Sequence, residues 1–342
     1  MIIHARATLY LPLVALFACT TLLPASAAPP LRGSDVLATV DGFHITRRAV
    51  ARNWVQIDPK ALDVLGRVLQ DRWMAGRPGS AAVVPSAALY SALFASSSQW
   101  KSVLKGMIDS RVVADAAALA HIQVTHAEMQ QRAHELLNTV RQQQGITASD
   151  VELVRRNHIP MPLFLQDMAY RIRCERLLKQ SIAAHNGHAI SVDDWVEVRL
   201  LFAAIPSTST PAERAAQTAA AHDRIARWLS EVTQGRAMAD VARDHNEDTT
   251  RSEAGLNGPW LRGTGDPVLE KVVFALKPGQ TSGIVQAANG FYVFRCEKRG
   301  ATVSLDDRNI GWQQVLKNRL PAFVAGLRLK AHVTSVVPLP AQ

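Results

Sequence analysis

The spacing of hydrophobic and polar residues changes several times along this chain, and each spacing predicts a different element. An alternating run over residues 35–46 contains Asp41-Gly42, a dipeptide that favours a tight turn, so it predicts a two-stranded hairpin. Thr46 has the hydroxyl that an N-cap needs, and a helix is predicted from Arg47. From there to about residue 184 the spacing is mostly helical, with a glycine- and proline-containing interruption at residues 76–80.

The helical region carries apolar stripes flanked by residues that favour a helix start. The clearest stripe, within residues 99–121, is formed by Val103, Leu104, Met107, Ile108, Val112 and Val113. Thr125 and Glu128 have the spacing of a capping box, and Thr147 is predicted to cap a further short helix. The next stripe is formed by Leu165, Met168, Ile172 and Leu178. Most such stripes form ordinary core, and only one left uncovered could bind another polypeptide.

The pattern between Trp195 and Glu297 is mixed. It opens on a strand-like run at residues 196–202, continues through a helix capped at Thr210-Pro211-Ala212-Glu213, and closes on a strand-like run at residues 289–295. Gly235 marks the end of that helix, and a turn is predicted at residues 277–280, between a helix ending near Leu276 and a strand near Ile284. The predicted order is strand, helix, short helix, loop, helix, strand, strand, which is a small α+β unit.

Three segments of this unit resemble the parvulin (PpiC-type) family of peptidyl-prolyl cis-trans isomerases, in the same order and with similar spacing. They are residues 238–245, 263–280 and 290–293, with the sequences MADVARDH, GTGDPVLEKVVFALKPGQ and GFYV. Rotation about a peptide bond has a barrier of about 18 to 20 kcal/mol, and no bond is made or broken. The catalyst needs an apolar slot for the proline ring and polar groups that favour the twisted amide. The resemblance therefore implies no cofactor and no metal.

The resemblance also implies a set of site residues. The two histidines and the acidic residue of the family fall on Arg199, Tyr292 and Asp248, and the leucine, methionine and phenylalanine of its slot fall on Asn257, Gly265 and Leu269. Two of the three apolar slot residues are therefore absent and the third is smaller. Because a large apolar side chain contributes about 1.5 to 3 kcal/mol when buried, binding of the proline ring is expected to be weak. A peptide groove is predicted along Trp260, Leu269 and Phe274.

Two arrangements of Arg199 remain open. In one, Arg199 pairs with Asp248 while Tyr292 donates a hydrogen bond nearby, because a buried guanidinium needs a carboxylate partner. In the other, Arg199 points to solvent and Asp248 only caps the loop.

The first 27 residues have the pattern of an export signal. Arg6 precedes an apolar run over residues 9–23, and Ala25-Ser26-Ala27 has the form of a cleavage site, so the protein is expected to be periplasmic. A less favoured interpretation is a lipoprotein anchored at Cys19. Removal of Arg6 with the signal lowers the formal net charge from +9 to +8, since the signal has no acidic residue. Cys174 and Cys296 then remain, either as a disulfide or as two buried thiols.

The hairpin and helices before residue 188 resemble the chaperone domain of SurA-type foldases. That resemblance implies that a C-terminal helix and strand return to this domain, with residues 333–337 beside residues 36–40. The helical stripe of the returning piece is formed by Trp312, Val315, Leu316, Leu320, Phe323 and Leu327, with Pro321 as an interruption. The predicted fold is α+β, with a mainly helical domain into which a parvulin domain is inserted. The predicted segments are a signal at 1–27, helical domain at 28–188, parvulin domain at 189–298 and returning segment at 299–342.

These patterns leave three functions open. One is an exported folding factor that binds unfolded or extended envelope polypeptides, outer-membrane or secreted, with weak or lost isomerase activity; the others are a fully active X-Pro isomerase or a chaperone dedicated to one secretion or assembly system. No nucleic-acid motif is present, and membrane contact is expected only through a lipid at Cys19 or through surface charge. His185 and His188 lack a third ligand, so they are interpreted as solvated linker residues rather than a metal site.

Overall fold

The computed structural model describes residues 36–58, 61, 94–95, 97–157, 159–207 and 210–337. The chain divides into two compact units. Residues 1–177 and 321–342 form the terminal unit, and residues 178–320 form the inserted unit. The predicted signal, Cys19, the interruption at residues 76–80 and His158 lie outside the described residues.

Helices outnumber strands along the described chain. The helices are α1 (Arg47–Ile57), α2 (Gln99–Leu119), α3 (His126–Gln144), α4 (Asp150–Arg156), α5 (Met161–Asn186), α6 (Pro211–Thr233), α7 (Met238–His245), α8 (Pro267–Val273) and α9 (Leu305–Lys330). The strands are β1 (Val36–Val40), β2 (Phe43–Thr46), β3 (Trp195–Ala204), β4 (Leu256–Leu261), β5 (Val285–Ala287), β6 (Gly290–Arg299) and β7 (Val333–Ser335). The protein is therefore the mainly helical α+β fold that the sequence predicts. Among the described helices, none has the length and apolar character needed to cross a membrane.

The terminal unit contains a three-stranded antiparallel sheet in the order β2, β1, β7. Asp41 and Gly42 both have positive φ, 46° and 83°, as the predicted tight turn requires. Thr46 accepts a hydrogen bond from the amide of Ala49 and caps α1, also as predicted. Val40 pairs with Val333 across β1 and β7, which confirms that residues 333–337 return to residues 36–40.

Helix boundaries in the terminal unit follow local capping. Thr125 and Glu128 form the predicted capping box at the start of α3. The prediction that Thr147 caps the next helix is wrong, because the hydroxyl of Ser149 accepts from the amide of Glu152 and α4 begins at Asp150. The predicted interruption at Pro321 does not end α9, which continues to Lys330. In the predicted stripes, Leu104, Ile108 and Val112 lie in one core and Met168 in another.

The inserted unit is built on a four-stranded antiparallel sheet in the order β4, β3, β6, β5. The predicted loop between α7 and α8 is wrong in part, since it contains β4, which pairs with residues 195–199 of β3. The turn at residues 277–280 is present, with the amide of Gln280 donating to the carbonyl of Lys277, but α8 ends at Val273 rather than near Leu276.

Side chains of β3 alternate between two apolar clusters on opposite faces of this sheet. Leu201 and Ala203 pack under α6 and α7, whereas Leu200 and Phe202 pack against α8. Beyond residue 199, where β4 no longer pairs, the exposed edge of β3 is completed by polar groups. The carbonyl of Gly255 accepts from the amide of Leu200, and the amide of Glu247 donates to the carbonyl of Phe202. The strand is thus held in register along its whole length.

Candidate functional site

An aromatic stack lies on the α8 face of the sheet in the inserted unit. The rings of Phe202 and Tyr292, opposite each other on β3 and β6, have centroids 4.7 Å apart. The rings of Tyr292 and Phe294 are parallel within 3° at 5.6 Å. Trp260 meets Phe294 edge-on at 5.8 Å. Stacks of this kind contribute about 0.5 to 1.5 kcal/mol per pair beyond area burial, so they hold the sheet face rigid.

The three predicted groove residues belong to the apolar cluster that contains this stack. Leu269 and Phe274 are buried in the cluster, and Trp260 is packed against it. The guanidinium of Arg262 covers the ring of Phe274 at 4.3 Å. The indole of Trp260 donates to the side-chain oxygen of Asn257 at 2.8 Å, so Asn257 orients an aromatic ring where the family slot has leucine.

The loop that contains Gly265 is held by the carboxylate of Glu270. The amides of Gly263, Thr264 and Gly265 donate to its two oxygens at 3.0, 2.8 and 2.5 Å. These three donors are therefore engaged within the protein. An added Cβ at Gly265 would lie 3.1 Å from Cγ of Glu270, so a larger residue requires the Glu270 side chain to move by a few tenths of an ångström.

Arg199 does not share this site. It alternates with Leu200 and so lies on the α6 and α7 face, whereas Tyr292 packs on the α8 face. Its Nε donates to Oε1 of Glu297 at 2.9 Å, and its Nη1 donates to the carbonyl of Ala254. The predicted pairing of Arg199 with Asp248 is wrong, because Glu297 is the carboxylate that Arg199 binds. The alternative of an Arg199 exposed to solvent is also wrong, since its side chain is 18 % exposed.

Asp248 has the second role considered for it, that of a cap. Its carboxylate accepts from the amide and hydroxyl of Thr250 at 3.1 and 2.6 Å, at the start of the short 3-10 helix Thr249–Glu253. Tyr292 exchanges two hydrogen bonds with the side chain of Asn289, at 2.8 and 3.1 Å. Burial raises the pKa of Tyr292, and the negative charges of Asp248 and Asp266 raise it further. Tyr292 is therefore a neutral phenol with acidic neighbours.

Phe202 is the site residue that sequence reasoning missed. Two side chains that act together on one sheet face must be in register across the strands, and the residue opposite Tyr292 is Phe202. Arg199 is three positions away, an odd number, which places it on the other face. The alternation of residues along β3 and β6 could have identified Phe202, because every second residue of a strand lies on the same face of the sheet.

Asn246 fixes the part of β3 that presents Phe202. Its side-chain oxygen accepts from the amide of Phe202 at 3.1 Å, and its side-chain nitrogen donates to the carbonyl of Leu200 and the hydroxyl of Thr250, both at 3.0 Å. The residue is 1 % exposed. Its side-chain amide thus serves to position this strand.

The remaining candidate residues are the two cysteines and the histidines near residue 188. Cys174 and Cys296 are both free and buried rather than joined, and burial raises the pKa of the Cys174 thiol to about 12. His188 is exposed, as expected for a solvated linker residue, and its Nε2 also pairs with Oδ1 of Asp194 at 2.9 Å. In the part of the chain that the structure describes, no three His, Cys, Asp or Glu side chains are grouped so that they could hold a metal.

Residues 202–298 match the family model of the rotamase domain, described as the PPIC-type PPIASE domain. The chain therefore contains a parvulin-class peptidyl-prolyl isomerase domain, as the resemblance implied, inserted among helices. None of the curated proteins matches the sequence.

Similar solved structures include two PrsA proteins and one isolated domain. The peptidylprolyl isomerase PrsA from Bacillus anthracis is 16% identical, covers 66% of this chain and 94% of its own, and has a TM-score of 0.36. The foldase protein PrsA from Lactococcus lactis is 12% identical over 89% of this chain and 95% of its own, with a TM-score of 0.30. A PpiC-type isomerase domain is 20% identical over 32% and 97%, with a TM-score of 0.27.

Proposed function

We propose that this protein is an exported folding factor whose parvulin domain binds extended polypeptides and has weak or no isomerase activity. The observation that carries the proposal is the stack of Phe202, Tyr292 and Phe294 on the site face. Catalysis of rotation requires polar groups that favour the twisted amide over the planar one. A phenyl ring offers no hydrogen bond, and the Tyr292 hydroxyl is already bonded to Asn289.

The same surface suits a binding role. Trp260 and Tyr292 are only partly buried at this face, and aromatic side chains give large contact area at a small entropic cost. The clients in this proposal are unfolded or extended envelope polypeptides, either outer-membrane or secreted proteins. The export pattern of the first 27 residues supports a periplasmic location.

The test is nuclear magnetic resonance exchange on a set of short X-Pro peptides, with suppression of aggregation of an unfolded outer-membrane client measured in parallel. We expect no acceleration of exchange and clear suppression of aggregation. Acceleration that is lost in Asp248→Ala would instead establish a fully active isomerase.

A gain-of-function pair sharpens this test. Phe202→His with Tyr292→His puts two polar rings on the site face, and we expect the double variant to accelerate exchange over the parent protein. Arg199→His is the matched control, because the same residue is then introduced on the opposite face of β3. Equal effects of the double variant and the control would contradict the assignment of Phe202 to the site.

A further inference from the structure

A concave surface lies in the inserted unit, on the sheet face opposite the aromatic stack. It is a hollow of about 600 Å³ between the first half of α6 and the β5–β6 hairpin. Ala215, Thr218, Ala219 and His222 form one wall, and Gln286 and Phe291 form the other. The ring of His222 meets that of Phe291 edge-on at 5.3 Å. The volume is in the range that ligand sites in proteins occupy, about 300 to 1,000 Å³.

The first half of α6 is held in place but uncovered. Residues 211–217, 219 and 220 are exposed, whereas Ala221, Ile225 and Trp228 further along the helix are buried against the sheet. The capping box at Thr210 fixes the helix start, and Arg214 donates to the carbonyl of Ala288 in the hairpin turn at 3.0 Å. A helix that is anchored at this end has an ordered face with nothing of the described chain packed on it.

The strand beside this hollow has an open edge. In the described sheet, β5 is the last strand and pairs only with β6. The backbone groups on its outer edge are therefore available to another extended chain, as in other cases of strand addition. Gln286 is opposite Phe291 in the ladder, so it lies on the face of the hollow, while Val285 and Ala287 lie on the face of the stack.

We propose that the edge of β5 and the hollow together form a second polypeptide site, which takes an extended segment as a fifth strand of this sheet. Alternate side chains of an added strand point to the same face, so every second side chain of the segment enters the hollow. The alanines of the α6 wall and the Phe291 ring of the other wall fit an apolar side chain. The open edge of β5 fits a backbone whose amide and carbonyl groups are free to form hydrogen bonds. The occupant is a segment of alternating apolar and polar residues with no need for proline. The site rests on the proposed function only in that its occupant is an unfolded client.

The test uses the full mature chain and a proline-free peptide of alternating valine and threonine, followed by nuclear magnetic resonance titration. We expect shifts in the signals of residues 214–223 and 286–291. Ala219→Trp fills the hollow and should weaken binding about tenfold or more, since a clash replaces a contact. Ala220→Trp is the matched control, because Ala220 is the next exposed alanine of α6 and does not line the hollow. It should leave affinity within about twofold.

Two further peptides test strand addition itself. In each peptide every second residue is N-methylated. One peptide lacks the amides that would face β5, and the other lacks the amides that would face away from β5. We expect one peptide to lose binding and the other to retain it. Equal behaviour of the two peptides, or equal effects of the two tryptophan variants, would overturn the site. A proline peptide is also added to the protein, and the signal of the Trp260 indole is followed. This measurement separates failure of the site at β5 from failure of the proposed function.

Discussion

Asn246 is the polar residue on which the position of β3 most directly depends. It lies where β4 no longer pairs with β3, and its amide replaces the missing strand by bonding the backbone of Leu200 and Phe202. Because the residue is almost fully buried, water cannot take over these bonds when the side chain is removed.

We therefore expect Asn246→Ala to lower the free energy of unfolding by about 2 to 4 kcal/mol, since each buried group left without a partner costs about 1 to 3 kcal/mol. Urea unfolding of the purified protein measures this change. Asn289→Ala is the control, because the side chain of Asn289 is exposed and bonds only Tyr292. A loss for Asn246→Ala no larger than that for the control would contradict this account of β3.

The pair of His188 and Asp194 makes stability depend on pH. Asp194 raises the pKa of His188 through a hydrogen bond and its charge. Burial raises the pKa of Asp194, but hydrogen bonds from the Ser191 amide and from His188 outweigh burial and lower it. The folded state thus binds the His188 proton more tightly than the unfolded state does. The stabilisation is fully present below the ordinary histidine pKa of 6.5 and is lost as pH rises through the raised value.

The measurement is thermal unfolding of the protein and of His188→Ala between about pH 5 and pH 9. We expect the two melting temperatures to differ most at the acid end and to converge at the alkaline end. A difference that grows with pH would give the wrong sign and exclude the ion pair with Asp194.

At the residue scale, the sequence predicts the apolar members of the site better than the polar ones. Trp260, Leu269 and Phe274, which are predicted to line a groove, share one cluster in which Leu269 and Phe274 are buried, because apolar side chains near each other in a small unit are driven to one core. The prediction for Arg199 is wrong because a shift of three residues in a strand reverses the face, and nothing within β3 alone fixes its pairing with β6. The partner of Arg199 is Glu297, 98 positions away.

At the scale of elements, the capping box of α3 has a measurable electrostatic signature. The amide of Thr125 and the guanidinium of Arg176 bond Glu128 and lower its pKa from 4.5 to about 2. The unfolded state therefore binds this proton at a higher pH than the folded state. Its contribution to stability is present above pH 4.5 and is lost as pH falls toward about 2.

Glu128→Gln removes this titration while keeping a side chain that can accept the amide bond. We expect the variant to be less stable than the parent at neutral pH and to lose less stability on acidification. Circular dichroism at a series of pH values measures both effects. Parallel acid profiles for the two proteins would show that Glu128 has an ordinary pKa.

Elements with strong local signals are the ones that sequence predicts. The Asp41-Gly42 turn and the capping boxes at Thr125 and Thr210 are formed by neighbouring residues, so their patterns suffice. The short strand β4 is hidden from sequence reasoning because Gly258 and Pro259 within it are typical of a turn, and its strand geometry comes from pairing with β3.

The cap of α4 shows where local patterns become ambiguous. The side chains of Thr147 and Ser149 both carry a hydroxyl and both lie just before the helix, so local sequence hardly separates them. In the structure the hydroxyl of Ser149 accepts from the amide of Glu152 and caps the helix.

At the scale of the whole molecule, the two ends of the described chain meet in one sheet. β7 pairs with β1 through residues 38–40 and 333–335, and the hydroxyls of Thr39 and Thr334 lie 2.5 Å apart. Arg328 of α9 also pairs with the buried carboxylate of Asp109 at 2.9 Å. The terminal unit is therefore completed by residues that lie far from the rest of it in sequence.

Deletion of residues 333–342 removes the third strand and leaves the inner edge of β1 unpaired. We expect the terminal unit to unfold at a lower temperature, with the inserted unit unchanged, because the deleted residues belong only to the terminal unit. Amide hydrogen exchange distinguishes the two units. Compared with the parent protein, the deletion variant should show faster exchange in β1 and β2 and the same rates in β3 and β6. Equal protection of β1 in both proteins would show that β7 contributes nothing to the sheet.

The pairing of β1 with β7 has a consequence for the order in which the chain folds as it is made. The inserted unit is one continuous stretch and can fold once its own residues have emerged, whereas β1 must wait for a partner 295 positions later. Closing so long a loop is slow, because its entropic cost precedes any contact. The β1–β2 hairpin thus keeps an open edge until residues 333–335 have been made. A protein proposed to bind unfolded polypeptides therefore carries an unpaired strand edge of its own until β7 has been made, and such an edge can pair with other chains.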